Sequence, residues 1–189
     1  MNWKQTCGIL SVVALLQGCV AAAVVGVVGG ATVAADNRTL GSQIDDQKIE
    51  FDAYAKLSEN EGLSDNTNLQ VVSINGSVLV VGQAPNEFLR DQAIKALGEI
   101  QRVVQVHDQI RIGNVTSLAT RSNDLFLTSK VKTALFGSEK IDATNIKVVT
   151  ENAEVFLMGL VNKAEAESAV DIARNVSGVN RVIKAFEYL

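Results

Sequence analysis

The side chains able to do chemistry are few and are poorly placed to act together. Cys7 and Cys19 are the only cysteines, and both precede residue 20. The rest of the chain therefore has no thiol for nucleophilic attack, a disulfide or a metal. His107 is the lone histidine, and one imidazole without companions does not make a zinc site. It lies between Val106 and Asp108 and alternates with Gln105, Gln109 and Arg111, which reads as a surface histidine on a strand. The adjacent Asp45 and Asp46 suit a helix N-terminus, where carboxylates oppose the positive end of the dipole, better than a catalytic dyad. Gly26, Gly29 and Gly30 follow no strand and do not form a phosphate loop. Nothing here pairs a nucleophile with a base, so the sequence argues against an enzyme, and no cofactor or metal is expected.

Composition narrows the partners. The chain has 189 residues, room for two small domains. Its formal charge of −4 gives nucleic acid no general attraction, so no nucleic-acid partner is expected. Aromatics are only 5%, so a core must rest on Val, Ile, Leu and Ala.

One cysteine does have a context. Met1–Thr6 is polar and carries Lys4, Gly8–Leu16 is apolar, and Leu16-Gln17-Gly18-Cys19 follows. A positive segment, an apolar segment and a small residue at a cut site make a secretory signal over residues 1–18. With Cys19 next, the pattern resembles a bacterial lipobox, although Gln17 stands where a small residue is usual. That resemblance implies a diacylglyceryl group on the Cys19 sulfur and an acyl chain on its amine, enough chains for stable anchoring. Val20, in place of an aspartate, implies the outer membrane, with the protein facing the periplasm. Residues 19–44 then form a lipidated, largely apolar tether. The competing reading is a transmembrane helix, since Cys7–Ala35 is long and apolar enough to span, but Gly18, Gly26, Gly29 and Gly30 interrupt it.

The remainder is a repeat. Leu69–Gly82 (LQVVSINGSVLVVG) returns 77 residues later as Ile146–Gly159 (IKVVTENAEVFLMG). Ala53–Leu57 matches Val131–Leu135 at an offset of 78, and Ala93, Ile94, Leu97 and Ile100 match Ala169, Val170, Ala173 and Val176 at 76. The slips fall in loops, where insertions are tolerated. The copies span 45–112 and 122–189, joined by a linker at 113–121.

Each copy reads αββαβ. The first helix is predicted over Asp46–Glu59 and Asn123–Phe136, with Ile49, Ala53 and Leu57, or Leu127, Val131 and Leu135, on one face. Ser122 or Asn123 is the expected cap of the second copy's helix. Two strands follow. In copy one they are joined by Asn75-Gly76, a strong hairpin signal because both positions accept positive φ. Copy two has Asn152-Ala153, where alanine in the same turn should cost about 1 kcal/mol relative to glycine. Second helices are expected near Asn86–Ile100 and Lys163–Val176, the latter with Asn162 and Glu165 as a capping pair. Last strands are expected at Val103–Ile112 and Val179–Leu189. Helices on one face of a small three-stranded sheet make a two-layer α+β domain.

The order αββαβ, the Val-rich hairpins ending in Gly82 and Gly159, and Val176-Ser177-Gly178-Val179 before the last strand resemble the BON domain. Two such domains behind a lipobox are similar to dual-BON outer-membrane lipoproteins over nearly the whole chain. Copy one departs from the pattern with Gln101-Arg102-Val103, and copy two with its missing hairpin glycine. The resemblance implies two tandem αββαβ BON domains, each a three-stranded mixed sheet with two helices on one face. It further implies binding to anionic phospholipid, support of envelope integrity and no catalysis, with lipid contact through the first helix of the second domain.

That helix can be read independently. At about 100° per residue, a core face at Leu127, Val131, Ala134 and Leu135 puts Leu125, Ser129, Lys132 and Phe136 outward, with Phe126 and Thr133 beside them and Lys130 flanking. An apolar stripe with basic neighbours suits an anionic membrane surface. The alternative is burial against the first domain; Phe51 and Tyr54, on the equivalent outward face of copy one, would be its partners and are expected to pack between the domains and not on lipid. Charge separates the copies: Asp45–Glu61 carries six acids and two bases, whereas Arg121–Lys140 carries four bases and two acids. Copy one should be repelled by anionic lipid and copy two attracted. Two readings stay open, a membrane-binding module and an adaptor for outer-membrane assembly, cell-wall or division-site proteins. Exposure of Phe126 and Phe136 favours the first and burial of both the second. A monomer is expected.

Overall fold

Periodicity places the first helix of each copy correctly but starts it too late. The computed structural model describes residues 36–189, which belong to one compact unit. The signal segment, Cys19 and most of the tether lie outside the described residues. Helix α1 runs over Leu40–Glu59 and is capped by Thr39, whose side chain accepts from the Ser42 amide. It is followed by a short helix α2 (Glu61–Asn66), strands β1 (Asn68–Ile74) and β2 (Ser77–Ala84), helix α3 (Glu87–Gly98) and strand β3 (Gln105–Ile112). The second copy has α4 (Leu118–Phe136), a 3-10 turn at Ala143–Asn145, β4 (Ile146–Glu151), β5 (Glu154–Val161), α5 (Lys163–Arg174) and β6 (Arg181–Tyr188). Residues 40–44 and 118–121, read as tether and linker, are thus helical.

The two sheets have one topology. β1 pairs antiparallel with β2 and β2 parallel with β3, in the order β1-β2-β3, and β4-β5-β6 repeats the pattern. Both hairpins close through the same turn, with φ of 49° and 79° at Asn75-Gly76 and of 51° and 60° at Asn152-Ala153. Ala153 thus holds a left-handed conformation that suits glycine. Ala153→Gly should raise the unfolding free energy by up to about 1 kcal/mol, because relief of that strain exceeds the added chain entropy. A urea melt of the variant at or below the wild-type midpoint would contradict this.

A buried carboxylate holds each turn. Asp46 is not a helix-terminal charge, because α1 begins six residues before it. It points inward and accepts from the amides of Asn75 (2.9 Å) and Gly76 (3.0 Å), from the Ser73 hydroxyl (2.8 Å) and from Arg38 (2.9 Å). Asp124 of α4 accepts from the amides of Asn152 (2.9 Å) and Ala153 (2.8 Å) in the same way. Asp45 is turned outward and pairs with Arg102. Arg102 sits at φ 73°, a conformation taken in the second copy by Gly178 at 102°. Asn162 and Glu165 form the expected capping box on α5.

Each sheet is covered by helices on one face, and the two sheets cover each other on the other. Ile49, Ala53, Leu57, Ala93 and Leu97 pack on Val71, Val78 and Val80 in the first domain. Val131, Leu135, Ala166, Ala169 and Ala173 pack on Val148, Val155 and Leu157 in the second. A third core joins Ile74, Leu79 and Val81 to Val149, Phe156 and Met158, so the domains meet sheet to sheet in a four-layer α/β/β/α sandwich. Phe51 and Tyr54, expected at the domain junction, are exposed instead. His107, expected on the open surface, is half-buried and lines a cleft with Leu79, Ile183 and Phe186.

Polar groups fix the register of the two sheets. Buried Glu151 accepts from Gln83 (2.7 Å) and Gln70 (3.2 Å), and Glu187 accepts from Ser77 (2.6 Å) and Asn75 (3.0 Å). Lys147 reaches Glu50 at 2.7 Å. The segment entering α1 bridges both domains, because the Asn37 amide donates to Asn145 (2.6 Å) while Arg38 holds Asp46. Burial alone would raise the pKa of Asp36, but hydrogen bonds and charge from Arg38, with Lys147, outweigh it and hold the carboxyl below its ordinary range.

Candidate membrane interface

Helix α4 carries every residue assigned to the outward stripe, and its start explains why part of the stripe was missed. Ser117 caps it, its hydroxyl accepting from the Thr120 amide at 3.1 Å; the expected caps Ser122 and Asn123 lie within the helix. The extra turn adds Leu118 and Arg121 to the face. The Ser-x-x-Thr spacing at 117–120 is the signal of this start, but no buried-face apolar period continues into it.

The inward face is Asp124, Leu127, Val131 and Leu135. The outward face is bare: Leu125 is 70% exposed, Phe126 62% and Phe136 63%. No part of the first domain covers them, because its sheet, and not its helices, faces the second domain. Ser129 and Thr133 are also exposed, yet their hydroxyls donate to the carbonyls of Leu125 (3.1 Å) and Ser129 (2.9 Å) on their own helix. Such back-bonding already satisfies their donors and reduces the cost of moving them out of water.

The cations differ from one another. Lys130 is half-buried; its ammonium donates to the Ser177 carbonyl at 2.5 Å and stands 5.6 Å from the centroid of the Phe126 ring. That geometry is a cation–π contact that steadies the ring in its outward position. Lys132 is fully outward. Among the described residues, Arg121, Lys130, Lys132 and Lys140 make no salt bridge, whereas both lysines of α1 do, Lys48 with Asp52 (2.7 Å) and Lys56 with Glu99 (3.2 Å). Asp124, the one acid within α4, is buried against its turn. The outward side of α4 is therefore apolar and cationic with no acid of its own. The acidity of copy one is smaller at the surface than its composition implies, since Asp46 is buried and Glu50 is neutralised by Lys147.

No cluster of three or more His, Cys, Asp or Glu side chains capable of holding a metal exists among the described residues. No helix among them is long and apolar enough to cross a membrane. A cavity of about 330 Å³ lies between α1 and the first hairpin, lined by Ser42, Asp45, Asp46, Ile49, Asn75, Gly76 and Arg102. Its buried carboxylate is already engaged by the turn amides.

Comparison with known proteins agrees with this architecture. The BON domain model matches residues 45–114 and 123–189. The chain is 39% identical to the outer membrane lipoprotein DolP of Haemophilus influenzae, over 98% of this chain and 96% of the relative. It is 36% identical to a 21 kDa hemolysin of Actinobacillus pleuropneumoniae, over 85% and 83% respectively. Osmotically-inducible protein Y of Escherichia coli is 26% identical over 81% of this chain and 77% of that one. With both copies matched by one domain model, and a lipoprotein relative aligned from end to end, the chain belongs to the BON domain family as a two-domain outer-membrane lipoprotein.

Proposed function

We propose that this protein is a non-catalytic, periplasm-facing lipoprotein that docks on anionic phospholipid through α4 of its second BON domain and supports envelope integrity. The observation that carries this reading is the bare stripe of Leu125, Phe126 and Phe136 beside cations that no carboxylate neutralises. Ser129 and Thr133 lie within the contact, and Lys130 and Lys132 supply its salt-sensitive part. Burying one such aromatic contributes roughly 1.5–3 kcal/mol, and each cation near an anionic surface about 1 kcal/mol. Exposure of both phenylalanines counts against an adaptor reading in which they are covered by the first domain.

Flotation with vesicles of phosphatidylglycerol, using protein lacking residues 1–19, tests it. Phe126→Glu should weaken binding roughly tenfold or more, since it removes apolar area and adds repulsion. The fold should survive, because position 126 lies off the Leu127–Val131–Leu135 face. Lys132→Glu should weaken binding chiefly at low salt, and Lys48→Glu should change little. Equal flotation of folded Phe126→Glu and wild type would move the site elsewhere.

The anchor of this reading is Cys19, acylated after removal of residues 1–18. Intact mass of the mature protein should show a lipidated N-terminal cysteine; an unmodified Cys19 would remove the anchor from the proposal.

A further inference from the structure

The two copies leave equivalent helices bare on opposite outer layers of the sandwich. α1 and α4 each present a stripe with the alternating four- and three-residue spacing of a coiled-coil seam. In α1 it runs from Leu40 to Ser58 and in α4 from Leu118 to Phe136, and every seam residue is exposed. Leu40 is 79% exposed, Ile44 67% and Phe51 74%, values that leave a solvent-facing helix with an unpaired apolar edge.

The seams are complementary and not alike. At equivalent levels Ile44 corresponds to Ser122, Phe51 to Ser129, Gln47 to Leu125 and Ser58 to Phe136. Below the first level, where Leu40 corresponds to Leu118, each large apolar residue on one helix stands opposite a small or polar one on the other. Tyr54 corresponds to Lys132, whose ammonium has no carboxylate partner and is free to lie over a ring. Charge follows the same division. Beside the α1 seam Asp45 is paired with Arg102 and Asp52 with Lys48, which leaves Glu59 without a salt bridge among the described residues, whereas α4 offers Arg121, Lys130 and Lys132 and no outward acid. Pairing α4 with α4 would set cation against cation, whereas α1 offers it Glu59 and no unpaired lysine. Anionic lipid is a poor partner for α1, whose lysines are already held by Asp52 and Glu99.

The geometry points to association of the α1 face of one copy with the α4 face of a second copy, the two helices parallel and in register. Because the faces lie on opposite layers, the contact is head to tail and does not close on itself, so copies add in an open series. Each contact covers one α4 face, so association and docking on lipid exclude each other. That consequence rests on the lipid reading above; the association itself does not.

Sedimentation velocity without lipid, on protein lacking residues 1–19, tests it. Wild type should associate with rising concentration, from micromolar to millimolar. Phe51→Asp and Phe136→Asp should each stay monomeric alone. Mixed in equal amounts they should form a one-to-one dimer, since each keeps the face the other has lost, and that rescue shows that both variants are folded. Wild type that stays monomeric, a mixture that stays monomeric while wild type associates, or Phe136→Asp that self-associates like wild type would each overturn the proposal. Phe51→Asp should still float with phosphatidylglycerol vesicles, so failure of association leaves the lipid reading standing and separately testable.

Discussion

Gly82→Ala is expected to lower the unfolding free energy by about 3–5 kcal/mol, the largest loss from any single methyl addition in the described chain. Gly82 has φ of 136°, and a Cβ there would lie 1.8 Å from the Asn68 carbonyl oxygen and 3.1 Å from the Leu69 Cα. Both obstacles are backbone of the paired strand β1, so no side-chain rotation relieves them. Gly159 is the equivalent position, with a Cβ 2.2 Å from the Asn145 carbonyl oxygen, but without a positive φ its replacement should cost somewhat less. Gly98 is the control, because nothing lies within 4 Å of a Cβ there, and Gly98→Ala should change stability by less than about 1 kcal/mol. Urea melts followed by circular dichroism compare the three. A Gly82→Ala midpoint close to that of Gly98→Ala would show that the strands can separate at this point, contrary to the clash.

Asp46→Ala should be comparably damaging, at about 3–5 kcal/mol, because one side chain serves four donors at once. Its loss leaves the Asn75 and Gly76 amides, the fully buried Ser73 hydroxyl and one edge of the Arg38 guanidinium without their acceptor. Arg38 keeps Asp36, which limits the loss. Asp124→Ala removes only the two turn amides of the second copy and should cost about 1–3 kcal/mol. The ordering of the two variants in a denaturant series is the check, and equal losses would mean that the Ser73 and Arg38 contacts add nothing. Acid should act on the same cluster. The lowered pKa of Asp36 means that its stabilisation is complete above the ordinary carboxylate range and is lost as pH falls through the lowered value.

Much of each domain can be read from the residues in isolation. Asn75-Gly76 announces a turn that needs two positive φ values, and Ile49, Ala53 and Leu57 mark a buried helix face because four-residue steps return to one side of a helix. The same period gave the core face of α4 and, by subtraction, its outward stripe. Helix starts were harder. Leu40, Ile44 and Leu118 lie on the solvent side, so the apolar period that marks a buried face does not extend to the caps at Thr39 and Ser117.

The sandwich itself is not legible in the residue order. A trace of it exists in Val78–Val81 and Val155–Met158, where apolar residues run without alternation because both faces of the central strands are buried. That pattern says a second face is covered and does not name the cover. Only the tertiary structure decided that each sheet covers the other, that Phe51 and Tyr54 are left outside, and that Asp46 turns inward to hold a hairpin about 30 residues further on. Backbone geometry sets which side of a helix or strand is apolar, and that is local and written in the residue order. What meets that side depends on surfaces assembled from distant parts of the chain, and these exist only once both domains have formed.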